Sequence, residues 1–366
     1  MAREAGYEAH AIDLFGDEDT RAAARATTAL TPNRHFDFCA EELLGAIAAQ
    51  QALRGPMPVI CGSAFECAPA PLDELARHYQ LLGCTAEVYR RLRVLPDLFD
   101  ALRRDGIATP RTHWHAPARA QGWLRKRVGG SGGYHVAPAQ GVARVSRGHY
   151  FQQRAGGTSR SALFIANGRE CRFYGCAEHL RWHTNPGFRY EGARRVVRVP
   201  VGLRHRLERI GAILTARLGL RGCFGIDFLL HHDSEPVLVD INPRPTATLE
   251  LYPERHRMFA AHLAACTDQT LLYSSPQDST HRAHLVLYAD APWHVIKGLL
   301  WPDWIADRPP AGTVIPRGAP LCTLQAEGAT RSALEHTLRQ RYHVLRARLG
   351  ASAQSVLPTT INIRTM

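Results

Sequence analysis

Lysine is almost missing from this 366-residue chain: of 45 basic residues only Lys126 and Lys297 are lysine, and the rest are arginine. A compact ammonium and a forked guanidinium do not substitute for one another, so a lysine kept against that bias is a candidate functional group. No apolar run approaches the roughly 18 residues of a membrane span. No signal-peptide pattern opens the chain either, so the expectation is a cytoplasmic protein with no membrane partner. The nine cysteines include no CxxC pair, and the closest pairs, Cys61/Cys67 and Cys171/Cys176, fit no common zinc spacing. They read as free thiols, mostly buried, in a reducing compartment. The phosphate-binding orders GxxxxGK[ST] and GxGxxG are also absent.

What is present is ordinary in bulk. The length allows two or three domains, and 45% hydrophobic residues is usual for a globular chain. A net charge of +12 suits an acidic partner such as a nucleotide or a polyanionic substrate. Nucleic acid is disfavoured, because the arginines are scattered and no basic block is interleaved with aromatics.

The most informative stretch is GCFGIDFLLHHDSEPVLVDINPRP, residues 222–245. Two apolar runs flank a polar turn cluster, which predicts a β-hairpin. A turn centred between Asp233 and Ser234 pairs Phe228 with Val239 and Ile226 with Ile241 on one apolar face. The other face sets Asp227 across from Asp240, with Asn242 and Arg244 following at period two. Opposed carboxylates with Cβ atoms only about 4.5–5.5 Å apart repel each other. Two readings stay open: a solvated face, or a cation site. For the second, Mg²⁺ fits, since it takes hard oxygen ligands from one or two carboxylates plus substrate phosphates, and Asn242 offers a further carbonyl oxygen.

In chain order, the first residues predict the end of a helix and a strand ending at Asp13. An α/β unit normally opens with a buried strand, so a first strand is expected to be missing or to lie upstream. A helix over 38–53, a short buried strand over 57–61 and a helix from Leu72 continue a βα alternation. Ser63 and Glu66 fall just past that strand's carboxyl end, where open α/β sheets bind ligands; a loop-capping role for Glu66 is the alternative. After the helix LPDLFDALRRDG, Pro110 marks a linker. His113 and His115 read as surface residues.

GWLRKRVGGSGGYHV then carries Lys126 on a strand, followed by Gly129, Gly130, Ser131, Gly132 and Gly133. Such a loop lets backbone N–H groups approach phosphate oxygens, and Lys126 could place a charge on one; a flexible turn is the other reading. Two or three strands follow, with turns at GGT and ANG, then a looped aromatic segment and a helix over 202–218. Beyond the hairpin come a helix containing MFAAHLAAC, a boundary at SSPQDST, strands at AHLVLYAD and TVIPRGAPLCTLQAEG, and a helix over 332–349. Leu334, Leu338, Tyr342, Leu345 and Leu349 form the buried stripe of that last helix. Asp307, Arg308 and Pro309 have no derived role.

LRKRVGGSGG followed about a hundred residues later by GID…DINPR resembles the ATP-grasp superfamily. The resemblance implies an α/β and α+β architecture: an ATP-grasp fold with a Rossmann-like N-terminal domain, its first strand missing, and a small β-rich C-terminal extension. The expected segments are 1–108, 109–275 and 276–366. It implies that Lys126 and the 129–133 loop hold ATP phosphates and that Gln152 and Gln153 form the hinge over adenine and ribose. Asp227, Asp240 and Asn242 would bind Mg²⁺, and Arg244 would stabilise transferred phosphoryl or acyl-phosphate oxygens. Three departures stand out: Gln153 replaces a common hinge glutamate, Asp240 a common glutamate ligand, and an additional lysine of the first domain is missing, for which Arg91 or Arg93 would substitute.

GSAFE, PGFRYEG, DINPRPTATLE and ADRPPAGTVIPRGAPLCTLQAEG look like the carboligase-like ATP-grasp proteins that accompany tetrahydromethanopterin and methanofuran one-carbon pathways. The expectation is an ATP-dependent carboxylate–amine ligase acting on small molecules, with glutamate or a cofactor precursor among its substrates, and a homodimer is compatible with it. The alternatives are a bicarbonate-using carboxylase-like enzyme and a non-catalytic nucleotide-binding scaffold.

Overall fold

A computed structural model describes residues 1–33, 38–63, 65–140, 148–182, 187–232, 235–272, 278–349, 357, 361 and 363–365. The predicted hairpin turn at Asp233 and Ser234, and most of the SSPQDST boundary, lie outside them.

The chain opens with β1 (His10–Asp13), α1 (Glu18–Ala23) and β2 (Ala26–Ala29), and β1 pairs with β2 in parallel. Four helices follow, α2 (Ala40–Arg54), α3 (Ala70–His78), α4 (Ala86–Arg93) and α5 (Leu95–Arg104). The strand expected over 57–61 is reduced to one parallel bridge between Val59 and Leu81, and Ile60 is exposed. Pro56 and Pro58 carry no N–H, so the segment cannot supply a regular ladder. In α5, Pro96 sits in the first turn, where its missing donor costs nothing, and Leu95, Leu98, Phe99 and Leu102 form the buried face.

A small antiparallel sheet comes next, built from β3 (Thr112–His113), β4 (Trp123–Arg127), β5 (Val136–Pro138) and β6 (His149–Gln153) in the order β3-β6-β4-β5. His113 and His115 are exposed, as expected, and His113 lies against the Trp123 ring at 5.3 Å.

The large sheet begins with β7 (Thr158–Asn167), β8 (Cys171–Arg181) and β9 (Gly192–Arg195), whose central residues are largely buried. After α6 (Val201–Leu218) come β10 (Arg221–Leu230) and β11 (Val237–Asn242), then α7 (Arg255–Thr267) and β12 (His281–Tyr288). The chain finishes through β13 (Trp293–His294), β14 (Ile305–Ala306), β15 (Val314–Ile315), β16 (Pro320–Gly328), α8 (Arg331–Arg348) and β17 (Arg364–Thr365). The order is β11-β10-β7-β8-β9-β12-β16-β14, with β17 beside β8, so the C-terminal strands extend the sheet that carries the hairpin.

One hydrophobic cluster joins Leu72, Phe99 and Leu102 of the first region to Phe164, Leu207, Phe224 and Leu238 on the sheet and α6. Each fully buried side chain of this kind contributes about 1.5–3 kcal/mol, so the cluster fixes the first region against the hairpin. A second cluster packs α8 on β12 and β16 through Leu334, Leu338, Tyr342 and Leu345, the stripe predicted from sequence. Thr330 caps α8, its hydroxyl accepting from the Ala333 N–H at 3.1 Å. All nine cysteines are free, with four buried, four half-buried and Cys39 exposed, so they are less buried than expected. Among the described residues no helix is long and apolar enough to cross a membrane.

Candidate active site

The β10–β11 hairpin pairs Ile226 with Ile241 and Asp227 with Asp240, as predicted. The next pair departs from the prediction: Phe228 stands opposite Leu238, not Val239. The register shifts between Asp227 and Phe228, which leaves Val239 as the extra residue of a β-bulge. In consequence Val239 and Asp240 both line the central cavity, while Leu238 and Ile241 stay buried in the core.

That cavity, of about 630 Å³, lies between the small sheet and the hairpin end of the large one. It collects Lys126, Ser131, Gly132, Gly133, Gln152, Gln153, Asp227, Asp240, Asn242 and Arg244 from segments 126 to 244. Gly129 and Gly130 are the exceptions among the predicted residues: they line a small adjoining space with Glu66, Tyr89 and Arg93. The reason is packing. A Cβ on Gly129 would stand 2.2 Å from the Glu66 carbonyl oxygen, so this glycine seats the loop on the first region. Gly133 is similarly pressed, with a Cβ there meeting the Phe188 carbonyl oxygen at 1.9 Å.

Lys126 is only 7% exposed on β4, and burial lowers its pKa against the pull of Asp240 and Asp227. The same burial pushes both carboxyls up to about 6. For Asp240 the neighbouring Asp227 adds to the rise, while Lys126 opposes it. Asn242 donates from Nδ2 to Asp227 Oδ2 at 3.2 Å, and its Oδ1 accepts from Arg244 Nη2 at 3.4 Å. Arg244 is itself held by Glu66, Nε to Oε1 at 2.5 Å. Gln152 is buried, and its Nε2 has no partner among the described residues, a donor available at the cavity wall.

Arg93 lies outside the cavity, donating to the Glu66 and Cys67 carbonyl oxygens at 3.1 and 2.5 Å. Arg91 is exposed and also does not line it, so neither takes the place of the absent lysine. Sequence reasoning missed His179, whose Nδ1 is 3.0 Å from Ser159 Oγ and whose Nε2 lies 3.8 Å from Asp227 Oδ1. Burial holds its pKa down to about 4. It also missed Arg154, Arg181, Tyr190 and Arg364 at the cavity wall.

Two opposed carboxylates and an amide carbonyl make a hard-oxygen donor set that fits Mg²⁺, with phosphates and water supplying the remaining ligands. Among the described residues no group of three or more His, Cys, Asp or Glu forms a closed metal cage, and Mg²⁺ does not require one.

Residues 97–248 match the family model for an ATP-grasp domain. The fold is ATP-grasp. A biotin carboxylase from Campylobacter jejuni, solved with a nucleotide, superposes with a TM-score of 0.66 at 13% identity, covering 99% of this chain and 88% of that one. The biotin carboxylase domain of Hydrogenobacter thermophilus 2-oxoglutarate carboxylase, solved with MgADP and bicarbonate, gives 0.68 at 11% identity, with 99% and 87% covered. N5-carboxyaminoimidazole ribonucleotide synthetase from Thermotoga maritima gives 0.59 at 12%, with 100% and 95% covered. No curated protein matches the sequence significantly. The ATP-grasp match spans the glycine loop, the Gln152–Gln153 strand end and the hairpin, and so contains the residues from Lys126 to Arg244 assigned to nucleotide and metal from sequence.

Proposed function

We propose that this protein is an ATP-dependent carboxylate–amine ligase that forms an amide through an acyl phosphate. The observation that carries the reading is the meeting of Lys126, the 131–133 loop and the Asp227/Asp240 pair in one cavity. Asp227, Asp240 and Asn242 would hold Mg²⁺, which when bound neutralises phosphate charge during phosphoryl transfer. Lys126 and the loop N–H groups hold the ATP phosphates, Gln152 and Gln153 face the base and ribose, and Arg244 meets the oxygens of the transferred group. Enclosure between two sheets keeps water from the acyl phosphate. No side-chain nucleophile is needed for this chemistry.

The finer assignment is a role in building a one-carbon carrier cofactor, with glutamate or a cofactor precursor as substrate; it rests on the GSAFE, DINPRPTATLE and C-terminal motifs. A second reading takes bicarbonate as the carboxylate, favoured by the biotin carboxylase and carboxyaminoimidazole synthetase neighbours. The test is Mg²⁺-dependent ADP release over glutamate, polyglutamate, tyramine, bicarbonate and pterin or furan precursors, with Lys126→Ala as control. Release that needs both a carboxylate and an amine supports the ligase, and release with bicarbonate alone supports the second reading. ATP binding without release under any condition supports a nucleotide-binding scaffold instead.

A further inference from the structure

Asp307, to which the nucleotide chemistry gives no role, belongs to a cleft of carboxylates that continues the active-site face of the large sheet. His179 lines the central cavity, and Ala193, His284 and Gln325 stand level with it on β9, β12 and β16, so their side chains share its face. Beside His179 the Tyr190 hydroxyl meets His284 Nε2 at 2.6 Å, and Glu250 Oε2 lies 3.9 Å from the Nδ1 of the same ring. Glu250 comes from the 3₁₀ turn Ala247–Leu251, whose Ala247 and Thr248 also line the cavity. Thr323, two residues from Gln325 and on the same face of β16, donates its hydroxyl to Asp307. The first region closes over this end of the face: Asp19 accepts from the Asp307 and Arg308 N–H groups at 3.0 and 2.8 Å.

Negative charge is concentrated here, on a chain whose net charge is +12. Burial and then the Asp307 carboxylate push both Asp17 and Glu250 up to about 7, and Asp307 is itself raised by burial with Asp19 and Asp13 nearby. Yet 41% of the Glu250 side chain is open to solvent, and Asp307 is exposed. Carboxyls that water reaches while protein surrounds them line a cleft and do not stand on a flat surface. Two guanidiniums face the group: Arg308, with Nε 3.7 Å from Asp19, and Arg255, already held by Glu4 at 2.8 Å. Asp13 and Asp19 accept from backbone N–H groups, which leaves Asp17, Glu250 and Asp307 to meet a ligand. Asp17 precedes α1 without making a capping bond, so the helix end does not account for it. His284, 2% exposed, aims at Glu250 an Nδ1 that has no hydrogen-bond partner among the described residues.

Such a cleft takes a cation. Among the described residues no three His, Cys, Asp or Glu side chains form a group that holds a metal ion, whereas an ammonium or guanidinium is suited to carboxylates spread more widely, each accepting one of its several N–H groups. Resting on the ligase reading for the identity of the occupant, we propose that the cleft seats the cationic end of the amine substrate, a polyamine whose second ammonium lies among Asp17, Glu250 and Asp307 while its reacting amine extends toward the hairpin.

The test is calorimetric titration of spermidine, and of butylamine as the single-charge control, into the ATP-free wild type, Glu250→Gln and Asp307→Asn. Expected is spermidine binding at least about tenfold tighter than butylamine, weakened about tenfold in each variant, with Mg-ATP affinity kept within about twofold. A cation favours the ionised carboxyls, so spermidine should release protons at pH 7 and bind more tightly at pH 8 than at pH 6, with Asp13, Asp19, Asp307, Arg255 and Arg308 as the charges that face Asp17 and Glu250. Glu250→Gln should release fewer protons, read from the change in binding enthalpy between phosphate and Tris buffers. Equal affinity for the two amines, or spermidine binding that both variants leave unchanged, overturns the site. Full displacement of spermidine by stoichiometric Mg²⁺ overturns the organic cation. ADP release with tyramine and none with spermidine overturns the polyamine as substrate. A cleft that binds spermidine as expected, in a protein that releases ADP with no amine and carboxylate of the panel, takes down the ligase reading and leaves the cation site standing.

Discussion

Arg244 donates from Nε to Glu66 Oε1 at 2.5 Å, so the residue just past the β10–β11 hairpin is tied to the loop following the Val59 bridge. Both side chains are largely buried, 12% and 14% exposed, and the second Glu66 oxygen has no partner among the described residues. Removing one member leaves the other buried without compensation. Glu66→Ala is expected to lower the unfolding free energy by about 3 kcal/mol. A double-mutant cycle with Arg244→Met should recover much of that loss; additive single effects would deny the coupling.

The hairpin carboxyls carry a pH signature. Both have pKa values pushed up to about 6 by burial, above the ordinary aspartate range. A raised acid pKa means that the folded state holds protons the unfolded chain has lost, so stability falls as pH rises through the window from about 4 to about 6. Metal-free Asp240→Asn lacks that liability. Its stability relative to wild type should therefore climb with pH across the window and level off above it. Mg²⁺ should raise the wild-type Tm more at pH 8 than at pH 5 and leave Asp240→Asn unmoved, as thermal unfolding with and without metal will show.

Lys126 has no hydrogen-bond or ion-pair partner among the described residues, and its charge faces Asp240 and Asp227 across the cavity. Lys126→Met should weaken Mg-ATP binding by about 10- to 100-fold, the loss of one charge-assisted contact. The exposed Lys297 is the control, since Lys297→Met should bind as wild type does. Calorimetric titration with a non-hydrolysable ATP analogue measures both.

Gly133 and Gly148 both have positive φ, 77° and 87°, but only Gly133 is crowded. Gly148→Ala should cost about 1 kcal/mol from backbone strain alone. Gly133→Ala must also displace the Phe188 carbonyl, so it should cost clearly more and weaken nucleotide binding. Chemical denaturation of the two variants side by side separates strain from packing.

The Asp227/Asp240 apposition was legible because a two-strand hairpin is a local structure and period-two alternation sets its faces. The bulge at Val239 was not legible, since nothing in the residue types of VLVD announces an extra residue. Lys126 stood out by rarity, and the glycine loop by composition. What composition could not separate is which glycines face the cavity and which, like Gly129, pack against the first region. The 57–61 strand failed because its prolines outweighed its apolar character. Tyr190 and His284 were invisible for a different reason: they are 94 positions apart and meet only because β9 pairs with β12, a non-local contact that no local pattern encodes.

The central claim is that a carboxylate of the substrate is phosphorylated before the amine attacks. The most direct measurement is turnover with a carboxylate substrate labelled with oxygen-18, followed by mass analysis of the released phosphate. An acyl-phosphate route transfers one labelled oxygen to each phosphate, and that is the predicted result. Unlabelled phosphate accompanying amide formation would contradict the account.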